Sequence, residues 1–481
     1  MNILEKLKKE GYETVPENFY RHIDDWKSWY DGYVDSFHRY RVFNGQEYYY
    51  SQRYSMGMAK KVCEDWANLL MSEKMSFTLE GEKEQDFVDS VMAANNFRVK
   101  ANEMQELKAA FGTVAYVPRV MGVKVDSKTG AVKGDASNLK IDYVYGKNVL
   151  PLAWENGEVY ECAFATEHVT DNARYVYIQI HTRDDNMEYV IKNRMYKCND
   201  IQTSDGGLTE VPLSEVDAFA NIPKTVHTGS KAPQFFIDKL NIVNNIDPTL
   251  PMGVAVFANA IDQLKACDIA YDSYVNEFVM GKKRIMVKVE ATKDFDGNNV
   301  FDPNDVVFYI MPEDSESGQS IQEINMELRA AQHNEGIQDM LNMLSSKCGF
   351  GENHYKFNAG SIATATQIIS ENSTLFRTLK KHEIVLERTL KELIKCILRL
   401  GNQYMNAGLN EDVEISIDFD DSIIEDKGTE FQRDAMMLQY GILNPYEFRA
   451  KWMNEDEETA KAALPQISNQ MEAEEPPVDE E

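Results

Sequence analysis

Apolar positions recur at helical spacing most insistently between Pro251 and Arg284. Phe257, Ile261, Leu264, Tyr271, Tyr274 and Phe278 form a stripe there, while Asp262, Lys265, Asp272 and Asn276 fall off it. The spacing predicts one helix of about thirty residues, roughly 45 Å long at 1.5 Å per residue. Pro251 suits its first turn, and Gly281 followed by Lys282, Lys283 and Arg284 suits its end. A second rod is expected from Thr364 to Asn406, with a seam of Leu379, Leu386, Leu390, Leu393, Ile397, Leu400 and Tyr404 that fits packing in a core.

Between the rods the period changes. Ile285-Met-Val-Lys-Val reads as a strand, Asp294-Phe-Asp-Gly-Asn-Asn as a turn, and Val306 to Met311 as a returning strand. Ser320 to Ser345 reads as helix again, through Ile321, Ile324, Leu328, Ile337, Met340, Leu341 and Leu344, with a weak point at Gly336. Cys348 to Gly360 is a loop rich in glycine and asparagine. The pattern is a helix, a small β insert and a returning helix.

The first 240 or so residues read as mixed. Helices are expected over Glu17–Phe43, which is crowded with aromatics, and over Tyr54–Lys74, Glu84–Ala93 and Ala101–Phe111. Strands are expected over Thr113–Val120, Leu139–Tyr145, Val149–Trp154, Val159–His168, Ala173–Arg183 and Met187–Met195, with the clearest alternation in Tyr175–His181. A long connection runs from about Asp200 to Asp247. Near the other end, Glu411–Asp421 reads as an acidic strand, followed by helices at Asp426–Tyr440, Asn444–Trp452 and Glu457–Leu464. The fold class is α+β, in several domains and without an internal repeat.

Composition narrows the options. A chain of 481 residues with 43% hydrophobic content buries sizeable cores, and no apolar run approaches the ~20 residues that span a bilayer. The first ten residues lack an apolar signal core, so a cytoplasm is the default site of synthesis. Six cysteines without a Cys-x-x-Cys pair suggest neither zinc nor a disulfide framework. The net charge of −29 argues against a protein that wraps nucleic acid with a basic face. Acids dominate after Glu455, and residues 466–481 read as a solvated, disordered tail.

Catalytic signatures are missing. No phosphate loop of the Gly-x-x-x-x-Gly-Lys-Ser/Thr type and no Gly-x-Ser-x-Gly elbow occurs, and His382-Glu383 lacks the second histidine of a zinc protease. Asp294, Asp296, Asn298, Asp302 and Asp305 match positions of a calcium loop, but Asn299 stands where glycine is required, and a polar hairpin turn explains the segment better. The Lys282-Lys283-Arg284 corner fits phosphate contact or a cation cluster at a helix C-terminus about equally. No metal, cofactor or catalytic residue is expected.

The order of elements, together with several local sequences, resembles the portal proteins of tailed bacteriophages, in particular the family found in long-tailed phages of Gram-positive hosts. The matching segments are Lys60-Lys-Val-Cys-Glu-Asp-Trp-Ala-Asn-Leu-Leu-Met-Ser-Glu, Pro251-Met-Gly-Val-Ala-Val-Phe-Ala-Asn-Ala-Ile-Asp, Asn276-Glu-Phe-Val-Met-Gly-Lys-Lys-Arg, Thr364-Ala-Thr-Gln-Ile-Ile-Ser-Glu-Asn-Ser and Ile415-Ser-Ile-Asp-Phe-Asp-Asp-Ser-Ile. The resemblance implies a non-enzymatic ring, typically of twelve subunits, at one capsid vertex of the virion, assembled in the host cytoplasm. Double-stranded DNA would pass through it without sequence-specific contact, driven by a separate terminase, and would leave by the same route.

By the same resemblance, residues 1–245 would form the wing, 246–283 and 320–347 the two stem helices, and 284–319 the clip that docks the terminase large subunit and later the head–tail adaptor. Residues 348–361 would form the tunnel loop at the channel's narrowest point, a loop that includes Gly349, Phe350, Gly351, Glu352, Asn353, His354, Tyr355, Lys356 and Asn358. Residues 362–425 would supply the long helix and a wing strand, and 426–465 the crown. The major capsid and scaffolding proteins would be further partners, and Lys282, Lys283 and Arg284 would mark the corner between stem and clip. The alternatives are a metal-dependent nuclease using Asp418, Asp420 and Asp421, or another phage structural protein.

Overall fold

Strand alternation and helical spacing in the first half of the chain place most elements where the residues predict them. The computed structural model describes residues 2–72, 75–122, 124–125, 132–170, 173–199, 207–288, 296, 308–310, 321–357, 365–419, 427–453, 455 and 457–464. They fall into two compact units, Met1–Phe419 and Asp420–Glu481.

The first unit opens with α1 (Asn2–Lys9), α2 (Glu17–Tyr30) and α3 (Asp35–His38). The stretch expected to stay helical to Phe43 then turns into a hairpin, β1 (Arg39–Phe43) and β2 (Tyr48–Gln52). The Asn44-Gly45 pair decides this. Gly45 takes φ 96°, and Asn44 Oδ1 accepts from the N–H groups of Gln46 at 2.9 Å and Glu47 at 2.8 Å.

Helix α4 (Met58–Leu70), strand β3 (Ser76–Leu79) and helices α5 (Glu82–Ala94) and α6 (Phe97–Phe111) follow. Then come β4 (Thr113–Val120), a small ribbon of β5 (Lys124–Val125) and β6 (Val132–Lys133), and β7 (Leu139–Tyr145). The long strands are β8 (Val149–Glu155), β9 (Glu158–Val169), β10 (Arg174–Arg183) and β11 (Tyr189–Cys198). The stretch read as a long connection contains three more strands, β12 (Leu208–Val211), β13 (Thr225–His227) and β14 (Phe236–Lys239).

Strands β12-β11-β10-β9-β8 form one antiparallel sheet with β13 also on β11, and β14-β4-β7 form another. A core of Ala115, Val117, Val144, Val149, Cys162, Phe164, Tyr189 and Phe235 joins residues of the two sheets. Every residue from Tyr175 to Thr182 in β10 is buried, so both faces of that strand are covered.

Beyond the sheets the chain departs from the predicted rod. Helix α7 runs only from Ile261 to Met280, roughly 30 Å, preceded by one 3-10 turn at Ala258–Ala260. Residues 251–257 are not helical because their backbone groups are used elsewhere. Gly253 N–H donates to Thr113 Oγ1 at 2.8 Å, Val256 N–H to the Ala109 carbonyl at 2.8 Å, and the Met252 carbonyl accepts from Asn244 Nδ2 at 3.1 Å. Gly253 lies so close to Gly112 that a Cβ on it would meet the Gly112 carbonyl oxygen at 2.2 Å. The apolar residues here are buried as a core strap rather than as a helix face.

After α7 comes a three-stranded sheet in the order β16-β15-β17, made of β15 (Arg284–Val287), β16 (Phe308–Ile310) and β17 (Ile321–Ile324). The expected returning strand, β16, pairs parallel with β15; the antiparallel partner is β17, in a stretch read as helix. Ile321 and Ile324 fit either period, and pairing with residues 284–287 settles it. Helix α8 therefore starts at Ala330 and ends at Lys347. The expected second rod is present as α9 (Ala365–Met405), roughly 60 Å long. Its seam from Leu379 to Leu400 is buried, and strand β18 (Ile415–Asp418) pairs with β3.

The second unit holds α10 (Lys427–Gln439), α11 (Pro445–Met453) and α12 (Glu457–Ala462). Pro445 opens α11 as expected, and Glu447 reaches back to the Asn444 N–H at 2.9 Å. Phe431 packs on Phe448 and Trp452 at ring distances of 5.4 and 5.2 Å. Residues 466–481, read as a tail, lie outside the described residues.

Candidate functional site

Helices α7 and α8 form an antiparallel pair with the small sheet at its tip. Glu277 near the end of α7 meets Arg329 at the start of α8, and Tyr274 lies 5.9 Å from the His333 ring. The Glu277–Arg329 contact is a fork: Nε to Oε1 at 3.0 Å, Nη2 to Oε2 at 2.8 Å, with the Arg329 N–H adding a third bond at 3.1 Å. These bonds to Arg329 hold the Glu277 carboxyl down at about 2.

The inner end of α7 is fixed by two carboxylates, one of which, Asp272, helical spacing had left off the apolar stripe. Asp268 and Asp272 are buried. Asp268 accepts from Met56 N–H at 2.7 Å, Ser55 Oγ at 3.3 Å and His38 Nε2 at 3.0 Å, and Asp272 accepts from Tyr54 N–H at 3.0 Å. The Val34 N–H donates to His38 Nδ1 at 2.8 Å, which leaves Nε2 as the protonated nitrogen. Both carboxylates thus cap loose backbone donors around the β1–β2 hairpin, a role that period counting cannot detect.

At the tip, Lys282 and Lys283 are exposed, while Arg284 begins β15 and is half-buried. Lys283 pairs with Glu323 of β17 at 2.6 Å, so part of the basic corner is neutralised inside the sheet itself. Of the calcium-loop positions only Asp296 falls among the described residues; Asp294, Asn298, Asp302 and Asp305 lie outside them.

The glycine-rich loop is packed over residues 348–357. Phe350, Gly351 and Tyr355 are buried. Trp66 Nε1 donates to the Cys348 carbonyl at 3.0 Å, Ser345 Oγ to the Gly351 carbonyl at 2.6 Å, and Gln338 holds both the Tyr355 carbonyl and the Phe357 N–H at 2.8 Å. Phe350 sits between the Trp66 ring at 5.0 Å and the His354 ring stacked at 4.3 Å. Gly349 and Gly351 serve this turn with φ of 88° and 94°. Glu352, His354 and Lys356 remain exposed, Asn353 is half-buried, and Asn358 lies outside the described residues.

Under α9 lies a fully buried polar cluster that the sequence did not announce. Lys108 Nζ meets both carboxylate oxygens of Asp238 at 3.2 and 3.0 Å, and Gln105 Nε2 donates to Asp238 at 3.0 Å and to Tyr116 Oη at 3.1 Å. Burial pulls the Lys108 ammonium below its usual value against the pull of Asp238. His382 of α9 accepts the Asn241 N–H at 3.1 Å and packs edge-on to Trp66 at 5.0 Å. It is a core acceptor, pushed down to about 3 by burial and by Lys108.

His181 on β10 is likewise pushed to about 3 by burial, between Phe164 and Phe235, with neither ring nitrogen bonded. Both histidines bind a proton in the unfolded chain below about 6.5 that the folded chain refuses until about 3. Stability is therefore full above pH 6.5 and falls as pH drops toward 3, by about 1.4 kcal/mol per pH unit for each histidine. The variant His181→Phe should reduce the slope by up to about 1.4 kcal/mol per pH unit in urea titrations between pH 4 and 6; an unchanged slope rejects this account.

Asp418 is exposed at the end of β18 opposite Ser76, and Asp420 and Asp421 lie outside the described residues. Among the described residues no group of three or more His, Cys, Asp or Glu side chains is placed to hold a metal ion, and no helix is long and apolar enough to cross a membrane. All six cysteines are free and buried.

The described chain is thus a mixed α and β protein whose polar clusters tie one element to another. It belongs to the phage portal protein family described as SPP1 Gp6-like, whose model matches residues 12–475. It is a structural portal protein of a bacteriophage virion. No curated protein matches the chain. Solved structures similar to it include the neck of a native GTA particle computed with C12 symmetry, with 8% identity and a TM-score of 0.37, covering 82% of this chain and 89% of that one. Another is the neck of an empty GTA particle computed with C6 symmetry, with 8% identity and a TM-score of 0.36, covering 82% and 88%.

Proposed function

We propose that the chain assembles with copies of itself into a ring around a DNA channel at one capsid vertex, with α7 and α8 as the stem and the β15–β17 sheet as the clip. The observation that carries this reading is the antiparallel α7–α8 pair, locked at its outer end by the Glu277–Arg329 fork, with a small sheet at its tip. Terminase docks on that sheet during packaging and the head–tail adaptor afterwards. The first unit up to about residue 245, with β18, meets the capsid shell as the wing, and residues 426–465 of the second unit are the crown. The capsid and scaffolding proteins surround the wing during assembly in the host cytoplasm.

Electrostatics supports a passive channel. A net charge of −29 repels the phosphate backbone, so duplex DNA slides without tight binding. Among the described residues of the tunnel segment, Glu352, His354 and Lys356 are exposed and available to the duplex, while Phe350 and Tyr355 are engaged in packing. Electron microscopy of the purified chain tests the reading: rings with a central hole about as wide as duplex DNA are expected. Compact monomers at every concentration, or magnesium-dependent DNA cleavage lost in Asp418→Asn, would overturn it.

A further inference from the structure

The β1–β2 hairpin has a face that the other described residues leave uncovered. Its register places Arg39, Arg41 and Phe43 on one side together with Tyr48, Tyr50 and Gln52, and all six are exposed. Phe43, Tyr48 and Tyr50 show 54%, 60% and 64% of their surface. Arg39 lies 4.2 Å over the Tyr50 ring and Arg41 lies 3.9 Å over the Tyr48 ring, and neither arginine makes an ion pair among the described residues.

Among the described residues the hairpin is anchored at its base. Arg53 stacks on Phe37 at 4.4 Å and on Tyr40 at 4.9 Å, and Tyr54 N–H is held by the buried Asp272 of α7. An isolated two-stranded hairpin is marginal in water, and flat Arg/Tyr surfaces are what interface hot spots are made of.

We propose that this Arg39/Arg41/Tyr48/Tyr50 face docks on the acidic surface of a second copy of the chain, as one half of the contact that closes the ring. The inference rests on the ring reading above. Charge supports it: from Arg39 to Arg53 the hairpin carries three arginines against one acid, Glu47, in a chain whose net charge is −29. A closed ring of identical subunits needs a heterologous contact, in which one patch meets a different patch of the neighbour. A basic projection on an acidic protein supplies such a pair and disfavours association through two identical acidic faces.

The test uses the full chain in mass photometry over a range of concentrations, comparing wild type with Arg39→Glu/Arg41→Glu and with Tyr48→Ser/Tyr50→Ser. Wild type should form rings, and each double variant should need about tenfold or more higher concentration to do so, with an unchanged melting temperature. A photo-crosslinking residue at position 48 should join two copies on illumination.

The outcomes separate the two ideas. Wild type that never forms rings removes the ring reading and this contact with it. Rings that form equally well in both variants, without crosslinks between copies, remove the hairpin contact alone. Normal rings combined with a loss of duplex DNA binding at low salt would assign the face to nucleic acid instead and overturn the proposal.

Discussion

Replacing Asp238 with alanine should cost about 3–5 kcal/mol of stability, measured by urea unfolding near neutral pH. The Lys108 ammonium would then lie fully buried without its counter-charge, since both side chains have no exposed surface and the remaining neighbours, Gln105 and Tyr116, carry no charge. Lys108→Met combined with Asp238→Leu should recover most of the loss, because the low dielectric penalises a lone charge far more than a well-packed apolar pair. The single variant should also regain stability as pH rises. Burial already pulls Lys108 down, and without Asp238 its folded value falls further. Between that value and the ordinary lysine value of about 10.4 the unfolded chain binds more protons, so stability climbs with pH. A loss under 1 kcal/mol, or one independent of pH up to 10, would show that the cluster does not carry the weight assigned to it.

Phe350→Ala is expected to cost about 3–5 kcal/mol, the range for deleting a large ring from a packed core. The side chain is 2% exposed and fills the space between Trp66 of α4 and the turn formed by His354 and Tyr355. The paired control is Glu352→Ala/Lys356→Ala, two exposed positions where the melting temperature should hold within the change typical of surface sites, about 0.5 kcal/mol. Under the proposed tunnel role, that control alters DNA packaging into capsids while leaving the fold intact, whereas Phe350→Ala acts first on folding. If the control melts early and Phe350→Ala does not, residues 348–357 are not the packed turn described above. Replacing the whole segment from Gly349 to Gly360 would confuse the two effects, because Phe350, Gly351 and Tyr355 within it are buried.

These positions also show where local reading stops. Long periodic elements were legible: α9 spans Ala365–Met405 against an expected Thr364–Asn406, and β7 coincides with Leu139–Tyr145. In α9, seven seam positions repeat at helical spacing, so the signal is strong enough to survive any tertiary context. The hairpin at Arg39–Gln52 was also legible in principle, through Asn44-Gly45 between alternating residues, but the surrounding aromatics read equally well as a helix face. Short segments failed where two periods fit, as at Ile321–Ile324, or where backbone groups had partners far away, as at residues 251–257.

By itself, the sequence determined the class of fold, the position of the rods and long strands, the acidic character and, through five dispersed segments, the portal family that the match over residues 12–475 bears out. It did so because helical and strand periods, charge and family segments are properties of the chain read in order. Only the tertiary structure decided that the first rod is cut short by a buried strap and that Asp268 and Asp272 face inward. It alone decided that the glycine-rich turn is packed and that Lys108 and Asp238 meet 130 residues apart. Each of those outcomes depends on which distant donor, carboxylate or backbone carbonyl arrives beside a residue, and no local period encodes that.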